Sequence, residues 1–103
     1  MVLTGETSQE RRREIFSALT DGSIDVVLTT PEFFTIHTQA FAASGRIGFV
    51  VIDEAHHAGQ AVAEGRHAYA DMPKSINQLG NPQVLAVTAT ASTATAQKIC
   101  RLF

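Results

Sequence analysis

At 103 residues the chain is long enough for one small domain, which buries only about two thirds of the surface that its unfolded form exposes. A composition of 45% hydrophobic and 17% charged residues excludes a disordered or fibrous chain. A net charge of −2 excludes a uniformly basic surface, so any contact with nucleic acid has to be local or carried by other parts of a longer protein.

No apolar run approaches the ~20 residues of a membrane span, and the first residues do not form a cationic start followed by an apolar stretch. A single cysteine, Cys100, leaves no internal disulfide and fits a reducing, cytoplasmic setting.

In chain order, Val2-Leu3-Thr4 reads as the end of a strand and Gly5 as a turn. Ser8 is suited to cap a helix whose apolar Ile15, Phe16 and Leu19 share one face, with Asp21-Gly22 as its stop. The run Arg11-Arg12-Arg13 could touch a phosphate backbone, but Glu10 and Glu14 flank it, so a solvated, charge-balanced helix face is the preferred reading. Asp25-Val26-Val27-Leu28-Thr29 reads as a second buried strand. At Thr30-Pro31-Glu32 the hydroxyl is a good N-cap and the proline is tolerated in a first helical turn, which predicts a helix from Pro31 to about Ala43. The start of that helix, with unpaired N–H groups and a positive dipole end, could hold a phosphate, although capping alone accounts for the pattern.

The stretch from Arg46 to Ile52 predicts a third strand, and its apolar end Phe49-Val50-Val51-Ile52 has the pattern of a strand covered on both faces. It leads into Asp53-Glu54-Ala55-His56. In open parallel sheets ligands sit outside the carboxyl ends of the strands, which is where Asp53 and Glu54 fall. A carboxylate there suits a hydrated magnesium ion, which takes one or two carboxylates together with phosphate oxygens. The neighbouring Glu can orient or deprotonate an attacking water. Residues 59–65 are small and flexible in character, helical stretches follow around His67 to Asp71 and from about Ser75 to Leu79 with a break at Pro73, and Gly80-Asn81-Pro82 turns the chain. Val84 to Val87 predicts the fourth strand, ending in Thr88-Ala89-Thr90-Ala91, and Ser92 caps a last helix through about Leu102.

Taken together, Asp53-Glu54-Ala55-His56, the later Val87-Thr88-Ala89-Thr90-Ala91 and the earlier Thr30-Pro31-Glu32 resemble motifs II, III and Ib of superfamily-two DEAD/DEAH-box helicases, most of all the RecQ-like branch. Three motifs in order make the resemblance specific. It implies an ATP-dependent nucleic-acid helicase, with DNA as the substrate, ATP and Mg2+ as cofactors and a part in DNA repair or recombination. In that pattern Asp53 holds Mg2+ through water, Glu54 positions the hydrolytic water, and His56 links the nucleotide site to Thr88, Ala89 and Thr90. Thr30, Pro31 and Glu32 contact the nucleic acid. The RecQ-like branch carries an aromatic-rich loop between motifs II and III, where this chain has only His67 and Tyr69 as ring-bearing residues and no tryptophan anywhere.

The alternation of strand and helix predicts an α/β fold with a three-layer, mainly parallel sheet. The resemblance makes it a partial RecA-like (P-loop NTPase) lobe, residues 1–103 forming the C-terminal half of the first lobe. A Gly-x-x-x-x-Gly-Lys-Ser/Thr loop, which cradles phosphates, does not occur, and the two lysines, Lys74 and Lys98, do not follow a glycine. The expectation is therefore a helicase fragment, inactive by itself, whose parent supplies the Walker A strand and loop and a second RecA-like lobe. One rival is a stand-alone α/β binding or regulatory module without ATPase activity. Another is a metal-dependent hydrolase using Asp53, His56, His57, His67 and Asp71, whose spacing fits neither His-Glu-x-x-His nor a paired Cys/His finger.

Overall fold

A computed structural model describes residues 1–54, 67–88 and 93–102. The elements are β1 (Val2–Leu3), α1 (Gln9–Asp21), β2 (Leu28–Thr29), α2 (Pro31–Ile36), α3 (Thr38–Ala43), β3 (Phe49–Ile52), α4 (His67–Asn77), β4 (Gln83–Ala86) and α5 (Thr93–Leu102). The strand–helix alternation follows the sequence closely, and both strand pairings are parallel. The expected continuous sheet is instead two two-stranded ladders, β1 with β2 and β3 with β4.

Helix α1 starts where Ser8 accepts a hydrogen bond from the Arg11 amide at 3.2 Å, and it ends at Gly22 in the left-handed region at φ 86°. A side chain at residue 22 would also meet the Arg46 guanidinium, 2.9 Å from an added Cβ. Ile15 and Leu19 are buried and Phe16 packs against them. The arginine run is split by its neighbours: Arg11 pairs with Glu14 at 2.9 Å, while Arg12 donates to the carbonyls of Thr7 and Gly5 and lies 5.1 Å over the Phe33 ring.

Three local expectations change. The helix expected over residues 31–43 breaks at His37, whose φ of −110° and ψ of 25° leave the helical region. Thr35 and Thr38 hydroxyls donate back to the carbonyls of Pro31 and Phe34 at 2.9 Å, a local competition with the backbone ladder that bends helices. The break expected at Pro73 does not occur, and α4 runs through it. Its packing on α2 holds together a helix that has lost one backbone donor. The second strand, expected over residues 25–29 and buried, shrinks to Leu28–Thr29 because its ladder partner β1 is itself only two residues long, and both of its residues are exposed.

The core lies between the ladders and the helices. Leu3 and Ile52 from the strands meet Ile15, Leu19, Phe33, Phe34 and Phe41 from α1 to α3, with Met72 and Ile76 from α4 and Ile99 from α5. Phe41 is the hub, its ring 5.1 Å from Phe16, 6.3 Å from Phe33 and 5.4 Å from Phe34, all edge-on. The expectation that β3 is covered on both faces fails: Ile52 is buried, but Phe49 and Val51 are each 56% exposed. Among the described residues, nothing packs on that second face. No helix among the described residues is long and apolar enough to cross a membrane.

Candidate functional site

The site is built at the carboxyl ends of β3 and β4. The parallel register pairs Ile52 with Ala86, and the Val87 amide donates to the Ile52 carbonyl at 2.8 Å, so the ladder keeps the two chains together as they leave the sheet. Asp53-Glu54 and Val87-Thr88 therefore emerge side by side at one end. Both carboxylate residues are exposed.

The backbone turns sharply there. Glu54 has a φ of 54°, in the left-handed region that ordinary residues avoid, and its amide donates to Asp53 Oδ1 at 2.9 Å. A left-handed non-glycine residue costs about 1 kcal/mol or more, and such residues gather at functional sites. The sequence pattern named the residue but carried no signal of the conformation.

The third motif meets this end through an open cleft of about 800 Å³. Thr29, Thr30 and Pro31 line it together with Asp53, so the end of β2 and the end of β3 face the same space. Thr30 caps α2 by accepting the Phe33 amide at 3.1 Å, and proline occupies the first helical position as expected. A hydroxyl has a donor as well as acceptor lone pairs, so capping leaves the Thr30 O–H available to a phosphate oxygen. Glu32 is exposed on the first turn.

Of the residues singled out in the sequence, Asp53, Glu54, Thr88, Thr30, Pro31 and Glu32 are thus placed. His56, His57, Ala89 and Thr90 lie outside the described residues, as do the side chains of His67 and Tyr69.

A sequence model of the family described as DEAD/DEAH box helicase matches residues 1–99. The chain belongs to that family. It is also similar to the ATP-dependent helicase SGS1 of Saccharomyces cerevisiae, with 28% identity over 89 residues, which is 81% of this chain. The chain spans 6% of the length of that relative. Membership implies the RecA-like α/β fold to which the alternating helices and parallel strands conform.

Helicases of this family use ATP and Mg2+, and the side chains present can be tested for fit. Asp53 and Glu54 supply hard carboxylate oxygens, and among the described residues no three His, Cys, Asp or Glu side chains gather as a metal site. Those two carboxylates fit a magnesium ion that keeps most of its waters.

Away from the strand ends, Asp21 sits at the end of α1. The hydroxyl and amide of Ser23 hold Asp21 below the usual carboxylate range, with a smaller contribution from the Arg46 charge. This cluster braces the end of α1.

Proposed function

We propose that the chain forms the C-terminal half of the first RecA-like lobe of an ATP-dependent helicase of the RecQ-like branch, acting on DNA in the cytoplasmic compartment of its cell. The observation that carries the reading is the emergence of Asp53-Glu54 beside Val87-Thr88 from one parallel ladder. In the parent protein ATP binds between this lobe and a second one. Asp53 holds the magnesium ion through water, and that ion, when bound, neutralises charge on the transferring phosphoryl group.

Glu54 positions the water that attacks the γ-phosphate. Water attack needs a group that both orients the nucleophile and accepts its proton, and an exposed carboxylate at a strand end can do both. His56, Thr88, Ala89 and Thr90 form the link by which the nucleotide state reaches the second lobe. Thr30 and the amides that follow Pro31 contact a phosphate of the DNA strand, with Glu32 at the edge of that contact. The lone Thr30 hydroxyl makes this contact modest.

The isolated chain has no Gly-x-x-x-x-Gly-Lys-Ser/Thr loop to cradle the phosphates and is inactive by itself. The test is Glu54→Gln in the full-length helicase: ATP binding is retained, and DNA-stimulated hydrolysis falls at least ~100-fold, the scale of a positioned general base. Hydrolysis that persists in this variant removes Glu54 from the role.

A further inference from the structure

Arg12 departs from the solvated helix face on which its sequence neighbours stand. Arg11 and Arg13 are exposed, whereas Arg12 is half-buried. Its Nε donates to the Thr7 carbonyl at 2.9 Å and its Nη2 to the Gly5 carbonyl at 3.0 Å, while the guanidinium carbon lies 5.1 Å from the centroid of the Phe33 ring. One edge of the fork thus holds the loop after β1, and the group as a whole lies over a ring of α2. A lysine has the charge but not the planar fork that reaches two carbonyls from above a ring.

The two segments that Arg12 joins stand at one end of one ladder. Parallel pairing of Leu3 with Thr29 brings Thr4 and Thr30 out side by side. The loop that begins at Thr4 is closed on itself, the Thr7 amide donating to the Thr4 carbonyl at 3.1 Å and the Thr4 amide to Thr7 Oγ1 at 3.0 Å. Phe33 carries the tie onward to Thr30. It is 3% exposed, its ring lies 4.2 Å from that of His37, and its amide donates to Thr30 Oγ1 at 3.1 Å. That bond occupies one lone pair of the hydroxyl, so the direction left to the O–H follows the place of the Phe33 backbone.

We propose that Arg12 is a positioning residue for nucleic-acid binding. It locks the first turn of α2 to the loop after β1, and so holds the Thr30 hydroxyl in the direction in which it donates to a backbone phosphate. The inference rests on the Thr30 contact proposed above, and on that hydroxyl rather than on the dipole of the six-residue α2. Arg12 itself makes no phosphate contact, its Nε and Nη2 being bonded to carbonyls.

The test is the affinity of the full-length helicase for single-stranded oligothymidine over a range of salt, in Arg12→Ala, Arg12→Lys, Thr30→Ala and the two double variants. Thr30→Ala weakens binding at least ~10-fold, the scale of a hydrogen bond to a charged group. Arg12→Ala and Arg12→Lys each weaken it ~5-fold, within the range of a partly desolvated cation–π contact. In the Thr30→Ala background the same two substitutions change affinity less than ~2-fold, because no hydroxyl remains to be positioned. The slope of log affinity against log salt is unchanged throughout, since a neutral hydroxyl releases no counterion. Arg12→Lys keeps the charge and most of the chain length, so the comparison survives if Arg12→Ala does not fold.

Full affinity in Arg12→Lys, with the slope in Arg12→Ala lower by about 0.7, makes Arg12 a direct phosphate contact and overturns the proposal. Losses at Arg12 and Thr30 that simply multiply also overturn it, as they are what a general weakening of the fold produces. Unaltered affinity in Thr30→Ala removes the Thr30 contact and the inference together, whereas a loss in Thr30→Ala with none in either Arg12 variant removes Arg12 alone.

Discussion

Neighbouring residues on the same strand meet opposite fates in this protein. Ile52 is 2% exposed and Val51 56%, and Leu3 is fully buried while Val2 is 57% exposed. Leu3 and Ile52 join the core beneath the helices, whereas their neighbours Val2, Phe49 and Val51 are as apolar but have no cover among the described residues. Burial is what converts an apolar residue into stability, at about 25 cal/mol per Å² removed from water. The two sides should therefore respond very differently to substitution.

The sharpest way to break this comparison is at its two extremes. Phe41→Ala empties the centre of the aromatic cluster and should cost about 3–5 kcal/mol, enough to unfold a small domain, as read by thermal or denaturant unfolding. Val51→Ala on the open side should change stability by less than about 1 kcal/mol, because little of its surface is withdrawn from water. If the two costs are similar, the open side is covered in solution and the comparison fails.

Next in size is Pro73→Ala. Restoring a backbone donor and a strong helix former within α4 should raise stability by up to about 3 kcal/mol, measured by the shift in denaturation midpoint. A loss instead would mean that the bend imposed by proline is what fits α4 to α2. Thr30→Ala removes the cap of α2 and should cost about 1 kcal/mol, with increased amide exchange at Phe33.

The smallest effect is at the exposed end of α1. Asp21 has a depressed pKa in the folded state, so its contribution is present above the ordinary carboxylate range and is lost as pH falls through the folded value. Ser23→Ala should return the Asp21 titration, followed by NMR, toward the ordinary value. Any loss of stability in this variant should be confined to pH above that range and vanish in acid.

Much of this molecule was legible in its residues. The caps at Ser8 and Thr30, the stop at Gly22, the four strand positions and the placement of Asp53-Glu54 and Thr88 at strand ends are local or periodic signals, and local backbone chemistry enforces them. The three family motifs were equally plain, and the family match over residues 1–99 agrees with them. Legibility ended where the outcome depended on what lies alongside. The helix that the periodicity ran through breaks at His37, between two threonines bonded back to the backbone, and packing on α2 carried α4 past Pro73.

The amino-acid sequence by itself determined where α1 and α2 begin and which side chains stand at the ends of the strands, because caps, turns and apolar periodicity act within a few residues. Only the tertiary structure decided that the strands pair two by two around a cleft, that Phe49 and Val51 face outward, and that Glu54 takes a left-handed turn. Pairing and burial depend on the partners that space brings together, and an apolar run carries no record of which partners those are.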